Sequence, residues 1–235
     1  MNQLIATAFH QPIHFPHISQ VVYPGDKVAI AADAFVVSRP GLLAGIVAEI
    51  VSVGLDAKDV TVLMLEQEQK THEEPFREAL PEKYRKTVRV VAHNPLDPQD
   101  LAMLAVAKDD SPVLLNRVLV DADVVIPVER YAPSPGSGYF GMHSVIYPRF
   151  ADTETQKRFL FSEPKKDRKK LLASLVAEAG DIARLLGVMM TVQILADSQG
   201  KIQQLIVGDA TEIAALLAKK RDISSKSFFP RLENP

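Results

Sequence analysis

The residues able to do chemistry lie in four segments, each a loop that follows a short β-branched run. The first is Asp33-Ala-Phe-Val-Val-Ser-Arg-Pro40. Ser38 and Arg39 stand just before a helix predicted to start near Pro40. Free N–H groups at a helix start and a planar guanidinium both suit a phosphate or carboxylate, with Asp33 beside them. The alternative makes Ser38 an N-cap and Arg39 a surface ion-pair partner. The second segment, Glu66-Gln-Glu-Gln-Lys-Thr-His-Glu-Glu74, sets His72 among carboxylates that could do acid–base work. Its plainer reading is a solvated loop entering a helix, with Thr71 as N-cap and Glu74 completing a capping box. In the third, His93-Asn94-Pro95, His93 is either a site residue or a cap on a strand end.

The fourth segment, Glu129 to His143, is the richest. Gly136, Gly138 and Gly141 allow close backbone approach to a ligand, and Arg130, Tyr131, Ser134, Ser137, Tyr139 and His143 supply polar groups. A loop of this length in a compact domain is usually functional or disordered. Its glycines match neither the dinucleotide-binding nor the P-loop spacing. His10, His14 and His17 are interrupted by Pro12 and Pro16, so they form no helical metal-binding face.

Strands are predicted at Lys27–Ala32, Val60–Leu65, Thr87–Ala92, Asp123–Val128, Thr191–Leu195 and Ile202–Val207. The last two flank the hairpin turn Asp197–Gly200. Helical spacing marks Leu42–Val53, Asp97–Val106, a segment starting at Pro112, Glu163–Leu186 and Ala210–Lys220. The alternation predicts an α/β fold: a mainly parallel, Rossmann-like sheet flanked by helices, with a C-terminal β-hairpin. No composition break divides the chain, so residues 1–223 are read as one domain and 224–235 as an extended tail. Ligands in such folds sit beyond the carboxyl ends of the strands, which points to the loops after Ala32, Leu65, Ala92 and Val128.

The 235 residues carry 27 basic and 29 acidic side chains, a net charge of -2 that offers no case for nucleic acid. With no cysteine, thiolate catalysis, disulfides and cysteine-based metal centres are excluded. No basic n-region precedes Lys27, and no apolar run approaches the ~18–20 residues that span a bilayer. The expectation is a soluble, cytoplasmic protein without a membrane partner.

Taken in order, these segments resemble the N-terminal domain of the lactate racemase family, the nickel-pincer nucleotide enzymes. Asp33 and Ser38-Arg39-Pro40 match its Asp-Asp-x-Thr-Arg-Pro, Glu73-Glu74 its Thr-Glu-Glu segment, and His93-Asn94 its His-Asn. Val113, Asn116-Arg117 and Ala122-Asp123 match Val-x-x-Asn-Arg and the following Ala-Asp. The glycine loop and Pro148-Arg149 correspond to Pro-His-x-x-x-Gly-Phe-Ser-Gly-Gly-x-Lys and Pro-Gly, and Thr191–Asp209 to the later strand–Gly-Lys-Ile–strand–Gly-Asp. The resemblance runs from about Pro24 to Lys220.

The departures fall on the chemistry. Gln69 and Ser134 stand where the family has its two proton-moving histidines, and Ser144 where a lysine tethers the cofactor. The stretch Gln156–Leu160 lacks the expected nickel-ligating histidine, and the chain ends about where the family's second domain would start.

The resemblance thus implies a domain that binds a nucleotide, phosphate or small hydroxy acid without nickel-pincer chemistry. Its ligand-binding residues would be Asp33, Ser38, Arg39, Ser134, Gly138, Tyr139, Gly141 and Ser144. One alternative is a 2-hydroxyacid isomerase using His72, His93 or His143 as acid–base groups. Another is a non-catalytic subunit or scaffold for a protein partner, either a second copy or a separate chain supplying the missing domain.

Overall fold

The computed structural model describes residues 1–107, 110–131, 142–159 and 165–217. Six strands form one sheet: β1 (Val28–Ala32), β2 (Val60–Leu65), β3 (Arg89–His93), β6 (Val124–Arg130), β7 (Thr191–Ala196) and β8 (Ile202–Gly208). Their order is β3-β2-β1-β6-β7-β8, parallel throughout except for the β7–β8 hairpin. The predicted α/β architecture and C-terminal hairpin are therefore present.

The central strands read as continuous apolar runs because both faces of the sheet are covered. Val28, Ile30, Ala32, Val62, Met64, Ile126 and Val128 pack on one face. That layer is built by α1 (Asn2–His10), the short α2 (Ala34–Val37), α3 (Pro40–Ser52) and α4 (Glu66–Ala79). Ala29, Ala31, Leu63 and Val125 face the other side. There they meet the segment 145–151, α5 (Arg117–Val120) and α7 (Lys165–Leu185). A further short helix, α6 (Thr153–Arg158), follows that segment, and residues 210–217 are helical. Among the described residues no helix is long and apolar enough to cross a membrane.

Three local expectations change. Leu101–Val106 and Pro112–Asn116 are not helical but form an antiparallel hairpin, β4 and β5, with a bulge between Met103 and Ala105. The run Leu-Ala-Met-Leu-Ala-Val carries no β-branched residue until its end, so its composition favours helix. The docking of Val113 and Leu115 into the second layer decides otherwise. Pro112 opens β5 at its first position, where a missing N–H breaks no ladder bond.

α4 starts at Glu66, directly at the end of β2, instead of at Thr71. The Glu68 carboxylate accepts the Leu65 N–H at 3.0 Å, while the Thr71 hydroxyl, inside the helix, donates to the Gln67 carbonyl. The amphipathic opening helix α1, for which no helix is predicted from the sequence, buries Ile5, Ala8 and Phe9.

Candidate functional site

The sheet order reverses at β1, which has β2 on one side and β6 on the other. Such a reversal, at the carboxyl ends of the two strands beside it, is where folds of this kind place a ligand crevice. Asp33 is the hinge of this place. It follows β1, and one carboxylate oxygen caps α2 by accepting the Val36 N–H at 2.8 Å. The other oxygen accepts the Arg130 N–H from the end of β6 at 2.7 Å. Burial raises its pKa, opposed by those two backbone donors. Asp33 thus joins the two strand ends, with one backbone donor on each oxygen.

On the first-layer side of the crevice, the Arg39 guanidinium lies 3.5 Å from the centroid of the Phe35 ring. The Arg130 guanidinium lies 5.1 Å from the same centroid. Arg39 also donates to the Phe35 carbonyl, the Ser38 hydroxyl and, at 3.4 Å, the Gly200 carbonyl of the β7–β8 turn. Neither arginine has a carboxylate partner among the described residues. Arg39, not Ser38, occupies the N-cap position of α3, and Ser38 closes α2. Beside them is a cavity of about 460 Å³ lined by Arg39, Pro40, Gly41, Gly200 and Ile202. The hairpin reaches this place because β7 pairs with β6 only from Val192 onward, so its turn overhangs the carboxyl end.

On the opposite face, Glu129 points into the second layer and is 1% exposed. One of its oxygens accepts the His143 N–H (2.8 Å) and the Gln193 side-chain amide (3.0 Å). The other accepts the Ser144 hydroxyl and the Val145 N–H, both at 3.2 Å. Gln193 also donates to the Thr191 hydroxyl, which in turn donates to the Pro127 carbonyl. Burial pushes the Glu129 carboxyl from 4.5 up to about 7, against these donors. The same burial pushes His143 from 6.5 down to about 4. His143 adopts φ +89, and its Nδ1 is buried without a hydrogen-bond partner, as is Oε1 of Gln193.

A third group ties the centre together. Arg149 makes two 2.5 Å bonds to the Glu68 carboxylate and donates to the Ala32 carbonyl at 3.2 Å.

The sequence-predicted residues therefore divide. Asp33, Ser38 and Arg39 lie together on the first-layer side, whereas His143 and Ser144 lie with Glu129 on the other. His93 ends β3 and is buried, with both ring nitrogens engaged: Nε2 with the Ala151 carbonyl (3.0 Å) and Nδ1 with the Asn116 amide (3.1 Å). Burial lowers its pKa. His72 is carried within α4, away from its start. Ser134, Gly138, Tyr139 and Gly141 lie outside the described residues.

Phe35, Glu68, Arg149 and Gln193 were absent from the sequence-based site. Position within the strands was the usable signal for Glu129. It continues the alternation Val125, Pro127, Glu129 on one face, and a carboxylate in that row must be buried.

The sequence profile described as the lactate racemase N-terminal domain matches residues 1–159. No curated protein matches the sequence. Among solved structures, the lactate racemase apoprotein of Thermoanaerobacterium thermosaccharolyticum aligns with a TM-score of 0.61 at 16% identity. That alignment covers 90% of this chain and 52% of that one. A protein of Thermotoga maritima aligns with a TM-score of 0.63 at 13% identity, covering 96% of this chain and 59% of that one. The chain thus spans little more than half the length of either structure, and at these identities the likeness is one of fold.

Proposed function

The chain belongs to the lactate racemase N-terminal domain family, and on that premise we propose that it binds a small oxyanion at the Arg39–Phe35–Arg130 cluster. The anionic group is the phosphate of a nucleotide, inorganic phosphate or the carboxylate of a small hydroxy acid. The observation that carries this reading is the pair of guanidinium groups on one aromatic ring, neither matched by a carboxylate. Three of the five Arg39 N–H groups are directed at the Phe35, Ser38 and Gly200 oxygens, which leaves Nε–H and one terminal N–H for the anion, and the adjoining cavity gives the ligand room.

The nickel-pincer nucleotide implied by the family does not fit the residues present. At the tether position, Ser144 offers a hydroxyl in place of an amine. That hydroxyl is buried and directed at Glu129. Where the nickel-ligating histidine is expected, Gln156 donates its amide to the Arg149 and Ala151 carbonyls. The reading is therefore binding without racemase chemistry.

Titration calorimetry with a nucleoside monophosphate, phosphate and lactate tests it. Arg39→Ala and Arg130→Ala should each weaken binding by about 2–3 kcal/mol, the scale of a lost charge-assisted contact. Arg39→Lys should weaken it less. Unchanged affinity with a lowered melting temperature would make the pair a structural brace of the β7–β8 turn.

A further inference from the structure

At the other end of the sheet, a cavity of about 400 Å³ opens between the amino halves of β1, β2 and β3 and the covering β5–α5 segment. Four basic residues from four separate places line it: Lys27 just before β1, Lys58 just before β2, Arg89 opening β3 and Arg117 opening α5. Lys58 is paired with Asp56. Lys27 and Arg89 have no ion-pair or hydrogen-bond partner for their side-chain nitrogens among the described residues. Arg117 donates Nε to the Gln99 carbonyl and one terminal nitrogen to the Leu101 carbonyl, so its guanidinium plane is fixed while its other terminal nitrogen is unengaged.

On the cavity wall lies Thr61, 94% buried by its 6% exposure, whose hydroxyl makes no hydrogen bond among the described residues. The hydroxyl is not sealed off: it opens onto the cleft, where a ligand oxygen can reach it.

We propose that this cleft is a second, separate oxyanion site that takes a phosphate group, with Lys27, Arg89 and Arg117 as its charges and the Thr61 hydroxyl as its inner donor. The cleft also contains Asp59, Asp100 and Asp121. Asp100 is turned to the Asn94 N–H. With Lys58 paired, the three carboxylates balance Lys27, Arg89 and Arg117 in the cleft, so the site offers directed N–H donors to a single phosphate group and no field for an extended polyanion such as nucleic acid. It does not depend on Arg39 or on the crevice at the carboxyl end.

The test is titration of the full chain with inorganic phosphate, followed by calorimetry and by amide ¹H–¹⁵N spectra. Saturable binding is expected, with the largest shifts at Ala29, Thr61 and Arg117. Joint substitution of Lys27→Ala and Arg89→Ala should weaken this binding at least tenfold, and Thr61→Val several-fold. Arg39→Ala should remove only the shifts around Arg39 and leave those at Ala29, Thr61 and Arg117, so that the two sites are read separately. Shifts confined to the surroundings of Arg39, binding abolished by Arg39→Ala but kept in the joint variant, or no saturable response would each overturn the proposal. The wild-type spectra alone decide the point even if a variant folds poorly.

Discussion

In water a glutamate gives up its proton well before a histidinium does. Around the end of β6 burial reverses that order, with Glu129 at about 7 and His143 at about 4. Both groups are therefore neutral in the weakly acidic range. The Ser144 hydroxyl, which donates to the carboxylate, can rotate to accept from the carboxylic acid.

The consequences for stability have opposite signs. Folding raises the proton affinity of Glu129. Its contribution is fully present below pH 4.5 and is lost as pH rises through about 7. Folding lowers that of His143, whose contribution is present above pH 6.5 and is lost as pH falls toward about 4, with His93 acting in the same direction. Each large shift is worth on the order of 3 kcal/mol across its window. Between pH 4.5 and 6.5 the two therefore offset one another. Glu129→Gln removes one side. Its melting temperature should fall more steeply than the wild type's on acidification from pH 6.5 to 4.5. Parallel slopes in a pH series of thermal melts would mean that Glu129 folds already ionised. Strand alternation placed Glu129 in the buried row, but no pattern in the sequence announced Gln193 as its partner 64 positions later.

At the level of elements, the legible parts were those with a strong local signal. β1 is an unbroken apolar run, β2 is interrupted only by Thr61 and β6 is apolar as far as Val128, and their burial on both faces follows from that. The β4–β5 hairpin was not legible, because a short apolar run has the same composition as helix or strand and only its docking decides. The division of the site also lay beyond reach. Asp33, Arg39 and His143 all follow strands, yet the face each one takes depends on how its loop turns after the strand ends.

Gly208 shows an element-level constraint that is testable. A Cβ there would lie 2.3 Å from the Ile13 carbonyl oxygen. The reason is that Ile13 forms a bridge along β8, donating to the Val207 carbonyl and accepting from the Asp209 N–H. This contact covers the outer edge of the sheet with the N-terminal segment. Gly208→Ala should cost roughly 1–3 kcal/mol, as overpacking against fixed backbone does. Denaturant melts measure it directly. A change below a few tenths of a kcal/mol would show that the N-terminal segment yields without loss.

At the scale of the whole molecule, the central strand β1 pairs on one side with β2 and on the other with β6. In the second pairing Val28 stands opposite Val124. Such distant pairing is slow to form, since the loop between the strands must be ordered before the contact repays it. The family-matched portion, residues 1–159, contains both of those pairings but not β7 or β8. A fragment of that portion would expose the hydrogen-bonding edge of β6 over Val128–Arg130. It would also leave Glu129 without Gln193, and Arg39 without the turn at Gly200. The portion matched by the family model alone is therefore expected not to be a self-sufficient unit of folding. The fragment should show reduced helical and strand signal by circular dichroism, or self-associate through its open edge. A separately supplied 165–217 peptide should restore the monomeric native spectrum by strand complementation. A stable, monomeric 1–159 fragment would mean that β7 and β8 are an appendage to a sheet already complete. The geometry instead makes them the final pieces of its closure: without the strand that covers β6, the buried Glu129 and the Arg39 cluster each lose a partner.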